Sequence, residues 1–65
     1  MVLDPKDMKR ETRWLRNRAE EVRTAAEDMR DPDSRRALFL IAASYETMAN
    51  HLDTAAKHLT LSATG

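Results

Sequence analysis

Asp31-Pro32-Asp33-Ser34 decides how this chain is read. A residue that precedes proline is pushed out of the α region, so a helix arriving from the N-terminal side must stop near Met29 or Arg30. Proline is itself pre-set for the first helical position, and Asp31 can accept from orphan backbone N–H groups, so a second helix starts at once. Asp4-Pro5-Lys6-Asp7 is the same device near the N-terminus. There is no other proline, and the single glycine is Gly65. Helix-favouring Ala, Leu, Met, Glu, Lys and Arg dominate the rest. The sequence therefore predicts one all-α domain: helix 1 over about residues 5–29, a tight turn at 30–31, helix 2 over about 32–60, and a tail at 61–65 that frays.

The apolar spacing gives the packing. Met8, Thr12, Leu15, Ala19, Val22, Ala26 and Met29 step by alternating fours and threes, and so do Leu38, Ile41, Tyr45, Met48, Leu52, Ala55 and Leu59. This is the roughly 3.5-residue period of coiled-coil and antiparallel bundle packing. With the turn at 31–32, facing residues have numbers summing to about 63 or 64. Small Ala26, Ala19 and Thr12 then meet large Leu38, Tyr45 and Leu52, while Val22 meets Ile41 and Leu15 meets Met48. Large against small is how layers interdigitate. A two-helix antiparallel hairpin is expected.

A lone hairpin is short of core. Of 65 residues, 27 are hydrophobic and ten of those are alanine, leaving few large side chains to drive collapse. No cysteine is available as a staple or a thiolate ligand. Leu38 to Ala43 is apolar all round, and such a helical stretch is buried on every side. Leu38, Phe39, Leu40, Ala42, Ala43, Ala49 and Ala56 are accordingly expected to form the interface of a homodimeric four-helix bundle. Charge suggests its geometry: Lys6 to Arg18 holds six basic and two acidic residues, whereas Glu20 to Asp28 holds four acidic and one basic. That order opposes the helix dipole. It is offset if helix 1 runs antiparallel beside its own copy in a two-fold dimer.

Chemistry-bearing patterns are sparse. Eleven basic and eleven acidic residues cancel, so the total charge gives no long-range attraction to nucleic acid or to an anionic membrane. No apolar run approaches a signal peptide or a membrane span, which makes cytoplasmic the expected location. Trp14 sits among Arg10, Arg13 and Arg18. These four form a candidate partner-binding group, although packing on the second subunit's Phe39 or Leu40 is the plainer and favoured role for Trp14. The basic run Lys6, Lys9, Arg10, Arg13, Arg16 and Arg18 spirals around helix 1 and supports weak nucleic-acid binding only as an alternative reading. His51 and His58 are two helical turns apart, about 10 Å, too far for one metal. Tyr45 beside Glu46 reads as a core tyrosine with its hydroxyl at the boundary. No catalytic, cofactor-binding or metal-binding residue is expected, and no enzyme.

Arg18-Ala19-Glu20-Glu21-Val22-Arg23, then Met29-Arg30-Asp31-Pro32 with Arg35, then Ile41-Ala42, Tyr45-Glu46 and Met48-Ala49 together resemble short helical-hairpin proteins of alphaproteobacteria. The likeness covers roughly residues 13–50 and omits Trp14 and Phe39. It implies a hairpin in a bacterial cytoplasm and no site, since that group has no established activity to carry over. The expected role is a small non-enzymatic dimeric interaction or regulatory module, whose partners are itself and a further protein.

Overall fold

The computed structural model describes residues 4–64, with side chains through residue 59. It is a hairpin of two packed helices, α1 (Pro5–Asp28) and α2 (Pro32–Thr64). Both starts follow the Asp-Pro chemistry. The Asp4 carboxylate accepts from the Lys6 N–H at 2.9 Å with Pro5 opening the helix. Asp31 accepts from the Ser34 N–H at 2.9 Å and from its hydroxyl at 2.8 Å. These bonds satisfy donors that the first helical turn leaves without an internal partner. The two Ser34 bonds, the backbone one first, hold the Asp31 carboxyl below its ordinary range.

α1 stops at Asp28, one residue before the expected end, because Met29 is extended (φ −74°, ψ 131°) and serves as the cap. The Met29 N–H returns to the Ala26 carbonyl at 3.1 Å. Its own carbonyl accepts from the Arg35 guanidinium at 2.9 Å, so the turn is tied from both sides. At the other end α2 continues to Thr64, through most of the tail expected to fray at 61–65; Gly65 lies outside the described residues.

The α1 seam follows the expected positions: Thr12, Leu15, Ala19 and Ala26 are buried, Met8 and Val22 half-buried. Met29, at the cap, is exposed instead. The α2 seam needs a larger correction. Ile41, Met48 and Leu59 are 46%, 46% and 42% exposed, while Ala42, Ala49 and Ala56 are buried to 1% or less. Those three alanines therefore lie inside the hairpin and are not available as a dimer interface. With numbers summing to 64, every layer now alternates: Met8 with Ala56, Leu52 with Thr12, Leu15 with Ala49, Tyr45 with Ala19, Val22 with Ala42, Leu38 with Ala26. Alanine opposite each bulky residue lets the helix axes approach closely, which Ile41 or Met48 in the same places would prevent. Thr12 tolerates burial because its hydroxyl donates to the Met8 carbonyl at 2.8 Å.

This core is thin. Among the described residues no large side chain is fully buried, and Leu15, 5% exposed, comes nearest. The molecule measures 51 × 18 × 13 Å with a radius of gyration of 15.0 Å, against about 11 Å for a compact chain of this length. Its accessible surface is 5270 Å², whereas a folded monomer of 7.4 kDa exposes about 4,200 Å². The excess of roughly 1,000 Å² is the size of one side of a specific protein interface.

Candidate interaction surface

At about 100° per residue, the two flanks of the seam differ in kind. On one flank α1 presents Arg16 and Arg23, and α2 presents Glu46, Asn50 and Asp53. These meet across the hairpin. Arg23 pairs with Glu46 and with Glu20 of its own helix. Arg16 donates to Asn50 Oδ1 at 3.3 Å and lies 3.9 Å from Asp53, which Lys57 also approaches at 3.2 Å. Glu46 in particular raises the Arg23 pKa above its ordinary value.

The other flank is apolar. Ile41, Met48 and Leu59 lie about 60–80° from the centre of the α2 seam, on the side of α1 that carries Trp14, Ala25 and Met29. Trp14 is 54% exposed. Its ring meets Tyr45 in a T-shaped contact, centroids 6.2 Å apart and planes at 80°. Arg18 donates to Glu21 Oε2 at 2.9 Å, and the Tyr45 hydroxyl nearby, then Glu21, raise its pKa. Trp14 and Arg18 therefore share one edge. Arg10 is exposed near that edge, while Arg13 lies further round on the outer surface of α1.

The remaining expected interface residues divide. Leu38 is half-buried in the seam, and Ala43 is exposed. Phe39 and Leu40 are exposed at the turn end of α2, away from the Ile41–Met48 stripe. Phe39 lies along the line of Glu46 and Asn50, Leu40 on the outer surface, and the two line a hollow of about 420 Å³ with Pro32, Arg30, Arg35 and Arg36. A second hollow of about 350 Å³ lies among Lys9, Thr12, Arg13, Arg16, Asn17 and Asp53. In the basic run, Arg16 and Arg18 are engaged as above, whereas Lys6, Lys9, Arg10 and Arg13 make no salt bridge among the described residues. Rather than spiralling, these four share the outer surface of α1 within an arc of about 100°.

His51 and His58 are exposed. No group of three His, Cys, Asp or Glu residues fit to hold a metal occurs among the described residues, and no described helix is long and apolar enough to cross a membrane. The chain matches no protein-family model, no curated protein and no solved structure.

Proposed function

We propose that this chain is a non-enzymatic interaction module that works as a homodimer, two hairpins joined through the flank of Trp14, Ile41, Met48 and Leu59 into a four-helix bundle. The observation that carries this reading is the asymmetry of the flanks: one is closed by ion pairs across the hairpin, the other offers large apolar side chains to water. The surface excess of roughly 1,000 Å² matches what such an association covers. Charge along α1 fits a two-fold axis near Ala19, where the sign changes. That axis sets Arg10 beside Asp28 of the partner subunit and Trp14 over the partner's Ala25, large against small.

The test is the concentration dependence of thermal unfolding, since association that favours the folded form raises Tm as the protein is concentrated. Wild type is expected to show that rise and the double variant Ile41→Glu/Met48→Glu to lose it. A Tm that does not depend on concentration in either protein would remove the reading.

A second reading rests on Lys6, Lys9, Arg10 and Arg13, four cations on one surface with no salt bridge among the described residues. They would hold a nucleic-acid backbone, with an affinity that falls steeply as salt rises. Titration of labelled duplex DNA at low and at moderate salt tests it. Absence of binding at low salt, or binding indifferent to salt, excludes it.

A further inference from the structure

We infer that the hollow at the turn end of α2 is a docking site for an acidic segment of another protein that carries a large apolar side chain. Three arginines, Arg30, Arg35 and Arg36, line it together with Phe39, Leu40 and Pro32, which supply its apolar wall. Asp28, Asp31 and Asp33 lie close in sequence, yet none of the three arginines makes a salt bridge among the described residues. Asp31 is spent on capping α2 through Ser34. Arg35 reaches back to the Met29 carbonyl, which fixes its position and leaves its charge unneutralised. Apart from the Arg35 bond to the turn, like charges gathered around exposed Phe39 and Leu40 do not stabilise the fold, because repulsion and apolar exposure both oppose it. An anion with an apolar body relieves both at once.

The occupant is a protein segment rather than a small molecule for a geometric reason. The hollow lies between the turn and the first turns of α2 and is open to solvent, so it covers a ligand from one side, whereas a small ligand is held by burial of most of its surface. A segment gains further contacts along the helix, and guanidinium groups suit carboxylates in bidentate pairs. The site lies at the turn end, on the side away from the Ile41–Met48 stripe, so it stays open in the proposed dimer and does not depend on that dimer.

Fluorescence anisotropy of a labelled EELFEE peptide, titrated with the full chain, tests the site. Saturable binding is expected, weakened about tenfold by Arg36→Gln and by Phe39→Ala and unchanged by Lys57→Gln, a solvent-facing lysine of α2 outside the hollow. All three side chains are exposed, and circular dichroism is expected to show unchanged helicity in each variant. The control peptides EEGGEE and KKLFKK are expected not to bind. No saturable binding of EELFEE overturns the proposal. So does equal binding of EEGGEE, which would mean charge alone, or an equal effect of Lys57→Gln, which would mean no defined place.

Discussion

Trp14 and Tyr45 meet edge to face across the hairpin, centroids 6.2 Å apart, and this contact holds the largest side chain of α1 on the apolar flank. Half of the ring remains in water, so Tyr45 alone does not bury it. In the proposed dimer the rest of the ring is covered. Truncating a central aromatic anchor of an interface costs about 2 kcal/mol or more, so Trp14→Ala is expected to weaken association roughly 30-fold. Wild-type tryptophan emission is expected to shift to the blue and resist aqueous quenchers as concentration rises. Emission that stays red and freely quenched throughout would leave Trp14 outside any interface.

Ala49 is expected to behave as a core residue of the single hairpin. It is fully buried in the layer of Leu15, and a larger side chain would push the helices apart. Ala49→Leu is expected to destabilise by about 1–3 kcal/mol, read from urea unfolding. Were Ala49 on an outer surface instead, the same change would be neutral or would strengthen association.

The ion pair of Arg23 with Glu46 closes the polar flank. Both side chains are partly exposed, so the pair contributes little and is weakened by salt. Its value lies in register. Glu46→Arg is expected to lower Tm slightly at low salt, and the exchange Arg23→Glu/Glu46→Arg is expected to restore it. If the double reversal is as unstable as the single one, the two residues do not face each other.

Asp31 gives the stability a dependence on acid. Its pKa is depressed in the folded chain by the Ser34 bonds, so the cap stabilises at pH values above the ordinary aspartate range. That contribution is lost as pH falls through the folded value. Helical content is expected to fall in acid, with Asp31→Asn flattening this part of the profile while keeping the cap at neutral pH. An identical acid profile for wild type and Asp31→Asn would mean that other carboxylates govern the loss.

Both helix starts, the turn and the α1 seam were legible because each rests on local chemistry: Asp-Pro pairs, and one unambiguous stripe from Met8 to Ala26. The α2 seam was not. Leu38, Tyr45 and Leu52 sit between two candidate companions, Ile41 with Met48 and Ala42 with Ala49, and periodicity alone accepts either. Volume decides, since each layer admits one large and one small residue and α1 had already supplied Leu15 and Val22. The polar flank was missed too, although the register was in hand. Arg16 with Asp53 and Arg23 with Glu46 both have numbers summing to 69, a constant offset that marks opposite charges along one edge. The tip hollow had no periodic signal, because Arg30, Arg35 and Arg36 come together only when the turn folds back.

The most direct measurement is sedimentation equilibrium of the intact chain across a concentration series reaching about 100 µM. A species of twice the 7.4 kDa chain mass is expected to dominate at the upper end, and Ile41→Glu/Met48→Glu to remain monomeric there. A wild-type chain that is fully helical yet sediments at 7.4 kDa over the whole series would contradict the dimer.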